Sequence, residues 1–162
     1  LGQGFMTLAA AEGAAAGKSL DEILAILNGM NKRLRTFAVL PTLKYLALSG
    51  RVGKFVAGMA ETLNIKPILT VKDGKLVLLE RIRTRTRAVE RMLELTREAV
   101  AGKRIERLAV IHVNNLEGST ELIGLLRSRL DCPAEIPVYS FTPGLSVHAG
   151  AGVVGLVLLT DS

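Results

Sequence analysis

The stretch KPILTVKDGKLVLLERIR, residues 66 to 83, constrains the fold more than any other part of the chain. Two runs rich in β-branched and apolar residues flank Asp73-Gly74. That dipeptide suits the two positive φ angles of a type I′ turn, so the pattern is an antiparallel hairpin. A chain carrying it must build a sheet that is at least partly antiparallel.

The segments on either side alternate between helical and strand patterns. Residues 5–16 are alanine-rich and helix-favouring, with Gly17 as a stop. Ser19 and Glu22 have capping-box spacing and start a second helix at Leu20, with Leu20, Ile23, Leu24 and Leu27 on one stripe. RTFAVL (35–40) reads as a buried strand, and Pro41-Thr42 opens a short helix ending at Ser49-Gly50. A helix over 52–63 would present Phe55, Val56, Met59 and Leu63 together. After the hairpin, a helix over 86–101 turns Val89, Met92, Leu93 and Val100 inward. Strand 106–113, helix 117–130 and strand 137–142 form a β-α-β run, and a last strand spans 153–159. The order predicts an α/β fold with a mixed, partly antiparallel sheet covered by helices.

Size and composition narrow the function classes. With 162 residues the chain can bury one core, and 49% hydrophobic with 22% charged residues is ordinary for a folded soluble protein. Its longest apolar run, 149–159, falls well short of the ~18 residues a membrane helix needs. No basic stretch precedes an apolar core near the start, so a signal peptide is not expected. The chain opens on LGQGF without methionine, and an upstream segment is expected. Cys132, the lone cysteine in DCPAE, makes an internal disulfide unavailable and fits a cytoplasmic location. A formal charge of +6 would attract nucleic acid, anionic lipid or an acidic partner.

Few residues carry chemistry. GAGVVG (150–155) matches GxGxxG literally, but a strand-like run follows the glycines where a dinucleotide site needs a helix. Two histidines and one cysteine offer no pair with zinc-ligand spacing, so no metal is expected. His112, on AVIHV, reads as a sheet histidine satisfied by the fold. Ser146 and His148 lie on one side of what reads as an extended segment, without a nucleophile elbow or an orienting acid. RIRTRTR places Arg81, Arg83, Arg85 and Arg87 at alternate positions, on one face if the strand persists. Three readings stay open for that row: a solvated surface, a nucleic-acid face, or one arginine turned inward to hold a carboxylate or phosphate. Aromatics are only 4% and none lies near the row, which weighs against stacking on bases.

The succession GKSLDEI, TLKYLALSGRVG, NIKPIL, KDGK, RIRTRTRA and VHAGAG resembles the DegV family over nearly the whole chain. One departure is Ala151, where that family usually has proline between the two glycines. The resemblance implies a two-lobed bacterial α/β protein that binds a long-chain fatty acid in a buried tunnel. It presents the carboxylate to a separate fatty acid kinase catalytic subunit for phosphorylation by ATP. On that reading, residues 1–33 are helices continuing from an upstream lobe, and 34–162 are the C-terminal lipid-binding lobe. The resemblance implies carboxylate ligands at His148 and Arg83, and hydroxyl ligands from the upstream lobe. Phe37, Val39 and Ile68, on buried strands, are tunnel-lining candidates, although plain core is the simpler role for each. The chain is then a carrier, with no cofactor beyond its bound fatty acid, no nucleic-acid partner, and transient membrane contact compatible with its cargo. The alternative is a basic interaction or nucleic-acid-binding domain using the arginine row.

Overall fold

In the computed structural model, which describes residues 1–50 and 65–161, six strands form one open sheet in the order β3-β2-β1-β6-β4-β5. The strands are β1 (Leu34–Val39), β2 (Lys66–Lys72), β3 (Lys75–Ile82), β4 (Ile105–His112), β5 (Val138–Ser140) and β6 (Val154–Thr160). The helices are α1 (Gly2–Ala15), α2 (Leu20–Arg33), α3 (Lys44–Leu48), α4 (Arg85–Val100), α5 (Leu116–Arg129) and α6 (Pro143–Ala149). The expected helix over 52–63 lies outside the described residues.

The strand chemistry sets the order. β6 (VGLVLLT) is apolar along its length and buried at every position, as a central strand covered on both faces must be. It pairs antiparallel with β1 on one side and β4 on the other. The Asp73-Gly74 turn has φ of 52° and 71°, so β2 and β3 form the expected hairpin. Among the described strands only β4 and β5 run parallel, joined through α5. The mixed, mostly antiparallel sheet follows the sequence expectation.

Register separates the two faces. Phe37, Val39 and Ile68 share one face with Leu156 and Val154, packed against Ala88, Val89, Met92 and Leu93 of α4 and Leu122 and Leu126 of α5. The other face carries Ala38, Leu69, Ile111 and Val157. Phe5 of α1 and Met30 of α2 cover one end of it, and Leu46 of α3 and Ala149 of α6 the other. Ion pairs from Arg107 to Glu12 (2.6 Å) and from Arg33 to Glu106 (3.2 Å) tether α1 and α2 to β4. The capping box at Ser19–Glu22 forms as its spacing requires. The helix stripe behind it is only partly covered: Leu20 is 70% exposed and Leu24 47%.

Two local expectations are corrected. Residues 143–149 are helical, because Thr142 takes the extended N-cap conformation and Pro143 opens the first turn. Positions two apart on a helix lie about 200° apart, so Ser146 and His148 face different directions. The arginine row does not share a face either. β3 ends at Ile82, and Thr84 caps α4 by accepting from the Arg87 amide, so the alternation breaks before Arg85.

Candidate functional site

The C-terminal end of β4 and the start of β6 are joined by a ladder that shapes the glycine loop. Gly152 N–H donates to Val113 O at 2.7 Å, and Val113 N–H to Val153 O at 3.1 Å. Asn115, the N-cap of α5, completes the arrangement. Its Oδ1 accepts from Gly118 N–H at 3.2 Å, and its Nδ2 donates to Gly152 O at 3.0 Å. Its backbone N–H donates to His112 Nδ1 at 3.1 Å, which leaves the neutral ring's proton on Nε2. His112 is therefore the satisfied sheet histidine its pattern suggested.

Glycine is required at two points of this loop. Gly150 has φ 82° and ψ 158°, a region only glycine occupies readily, and the Tyr45 ring sits where its side chain would be. Gly152 has φ 92° and packs on Pro41. The carbonyl of Pro41 in turn accepts from Lys66 Nζ at 3.0 Å. GxGxxG is thus a turn into a central strand, with no helix after it to receive a pyrophosphate.

Beneath α6 lies a cavity of about 270 Å³ between the sheet and the α3/α6 pair. Ala38, Leu40, Leu69, Ile111 and Val153 form part of its apolar wall, and Phe141 closes one side. Among the described residues, His148 is the one titratable side chain in the lining. It is half-buried at the last turn of α6, one helical turn from Leu145, which shares the cavity. Ser146 does not join them: its Oγ donates to Phe141 O at 3.2 Å.

The other sequence candidates fall elsewhere. Phe37, Val39 and Ile68 sit in the core against α4, on the sheet face opposite this cavity. Their neighbours Ala38 and Leu69 line it, while Phe37 borders a separate recess of about 800 Å³ toward the hairpin tip. Arg83 follows the end of β3, at the sheet end that also carries Lys66, Pro41 and the glycine loop. It is exposed, does not line the cavity, and makes no ion pair with another described residue. Arg85 pairs with Glu121 at 2.9 Å and reaches the first turn of α5 beside Gly118. Among the described residues no cluster of His, Cys, Asp or Glu could hold a metal ion, and no helix is long and apolar enough to cross a membrane. Burial pushes the Cys132 thiol above its ordinary pKa, which is the wrong direction for a nucleophile.

Asn115 and Lys66 were missed from the sequence. Asn115 was legible, since VNN before a helical run is an N-cap signal. Lys66 carried none.

Fold and site together define a mixed-sheet α/β domain with an apolar cavity under a short helix, marked by one histidine. The chain belongs to the DegV family, whose sequence model, described as "Uncharacterised protein, DegV family", matches residues 1–161. A DegV domain-containing protein of Mycobacterium bovis is 36% identical over 156 residues, covering 96% of this chain and 55% of that protein. The chain therefore spans about half the length of the curated relatives it matches. The structure of DegV, a fatty acid binding protein from Bacillus subtilis, superposes with a TM-score of 0.81 at 32% identity, over 99% of this chain and 57% of that one. A fatty-acid-binding DegV family protein from Thermus thermophilus superposes with a TM-score of 0.86 at 28% identity, over 99% and 57%.

Proposed function

We propose that this chain forms the acyl-enclosing part of a carrier for a long-chain fatty acid, whose carboxylate is presented to a separate kinase for phosphorylation. The observation that carries the reading is His148, the one titratable group among the described residues of a mostly apolar cavity wall. Each methylene buried contributes about 0.8 kcal/mol, so the apolar wall supplies most of the affinity. That wall does not decide which end of the ligand lies where. A buried carboxylate without a partner is costly, so the head group goes to the one polar side that answers it.

The solved relatives named as fatty-acid-binding support the ligand class. In the phosphorylation step a carboxylate oxygen attacks the terminal phosphorus of ATP, ADP leaves, and an acyl phosphate forms. The kinase supplies the nucleotide and its metal; this chain holds and orients the acid. His148 orients the carboxylate. Arg83, exposed and unpaired among the described residues, stands outside the cavity, where it meets incoming phosphate charge without enclosing the acid. Hydroxyl groups from outside this chain complete the head-group site, and the carrier works in the cytoplasm.

Mass spectrometry of an organic extract of the purified protein tests the reading, together with displacement of a fluorescent acyl probe from delipidated protein. A co-purifying long-chain fatty acid and saturable displacement are expected. An extract without acyl chains, combined with no probe binding, would overturn it.

A further inference from the structure

The helix that carries His148 does not hold itself in place. α6 has seven residues, too few for a helix that is stable alone, and its Leu145 and Val147 are exposed. Where the imidazole stands therefore depends on what pins the segment 141–152 at its two ends. At the front, Phe141 N–H donates to His112 O at 2.9 Å, and Ser146 Oγ donates to Phe141 O at 3.2 Å. At the rear, Gly152 N–H donates to Val113 O, and Gly152 O accepts from Asn115 Nδ2. Both ends are fastened to residues 112–115.

Within that stretch His112 is the fixed point. It closes β4 opposite Ser140 of β5 and Val154 of β6, so its backbone belongs to the sheet. Asn115 lies beyond the strand. Asn114, just before it, adopts φ 45°, a left-handed conformation that asparagine tolerates better than most residues. The turn brings Asn115 N–H back onto His112 Nδ1 at 3.1 Å. Opening that hydrogen bond would release the backbone from which the Asn115 side chain reaches Gly152. Valine or threonine would fill such a strand position at least as well, so sheet formation does not account for a histidine there.

Resting on the acyl-binding reading, we propose that His112 is a positioning residue for the head group. It does not line the cavity. Its Nδ1 holds Asn115, Asn115 holds Gly152, and the loop between Gly150 and Gly152 holds the end of α6 on which His148 stands. His148 meets the carboxylate, and His112 fixes where it is met. A shift of the imidazole weakens a hydrogen bond that depends on distance and angle, while the apolar wall keeps its contacts with the chain. Loss of His112 therefore acts on the carboxylate and spares the burial of methylenes.

The test compares palmitic acid with its methyl ester, which lacks the carboxylate, as competitors of a fluorescent acyl probe on the intact, delipidated protein. His112→Val suits the strand but offers no acceptor, and should weaken the acid by roughly two- to tenfold and the ester by less than about twofold. His112→Asn, whose Oδ1 takes the place of Nδ1, should recover most of that loss, whereas His112→Gln, whose amide lies further out, should not. In a His148→Ala background, His112→Val should have no further effect on the acid. Equal losses for acid and ester, no rescue by asparagine, or the same loss with and without His148 would show that His112 serves the fold alone. If His112→Val does not fold, glutamine against asparagine makes the same comparison, and unfolding of both the valine and glutamine variants would also overturn the proposal. Failure of acid and ester alike to bind the wild type would instead remove the acyl reading, and the positioning role with it.

Discussion

Asn115 Nδ2 donates to Gly152 O at 3.0 Å while Asn115 Oδ1 caps α5, so one side chain fixes both a helix start and the loop that follows His148. The two roles can be separated. Asn115→Ala loses both and should cost about 1–2 kcal/mol in urea unfolding. Asn115→Asp keeps the cap acceptor but cannot donate to Gly152. It should unfold close to wild type yet bind the acyl probe several-fold more weakly, because the loop beside the head group is no longer held. Equal binding by Asn115→Asp and wild type would show that the loop needs no such tether.

Tyr45 and Gly150 make a second coupled pair. A methyl group at Gly150 must adopt φ 82° and also enter the Tyr45 ring. Gly150→Ala should destabilise by about 1–3 kcal/mol from the backbone strain alone. Adding Tyr45→Ala should recover the steric part and leave the strain. A double-mutant cycle in thermal unfolding reads this as a non-zero coupling. Full additivity would mean the ring simply moves aside.

The α4–α5 contact predicts a pH response. Arg129 hydrogen-bonds both carboxylate oxygens of Glu90, at 2.5 and 3.0 Å, and holds that carboxyl below its ordinary pKa. A lowered folded-state pKa gives stability that is complete above the unfolded-state value and is lost as pH falls through the folded-state value. Stability should therefore fall on acidification through the carboxylate range, and Glu90→Gln should flatten that limb. The check is urea midpoint against pH for the two proteins, and superimposable acid limbs would contradict it. The effect should also weaken in high salt, since both side chains are 41% exposed.

Cys132 offers a simpler check. Its thiol is pushed up by burial, ahead of opposing influence from Arg127, so the thiolate fraction at neutral pH is small. Alkylation by iodoacetamide should be slower than for an unstructured cysteine peptide and should accelerate on denaturation. Faster reaction in the folded state would mark a reactive thiol.

The sequence carried much of the fold and less of the site, for a physical reason. Asp73-Gly74, the Ser19–Glu22 box and the apolar run of β6 are local signals, and the structure honours each. The segment 143–149 misled because a seven-residue helix shows barely two turns of periodicity, and Gly144 beside Pro143 reads as a turn. The arginine row misled because alternation along RIRTRTR has meaning only while the strand lasts. Cavity lining is harder still. Phe37 and Ala38 are adjacent, both suit a strand, and only the global register says which one faces α4.

His148 is where site and sequence meet, and its role is separable from stability. It is half-buried at the end of α6, so His148→Ala removes little core area and should lower the melting temperature only slightly. If it orients the carboxylate, the variant should bind the acyl probe more weakly and slow acyl-phosphate formation with a partner kinase, by tenfold or more on the loss of a charge-assisted hydrogen bond worth about 1.5–3 kcal/mol. His148→Asn restores one donor but never a positive charge. Partial rescue by asparagine would assign the contribution to hydrogen bonding, and no rescue would assign it to charge. A His148→Ala protein that folds, binds and is phosphorylated like wild type would remove the anchor from this cavity. Parallel substitutions at Arg83 and Arg81 complete the comparison: loss of phosphorylation at Arg83→Ala alone marks a specific contact, and equal losses mark a general electrostatic surface.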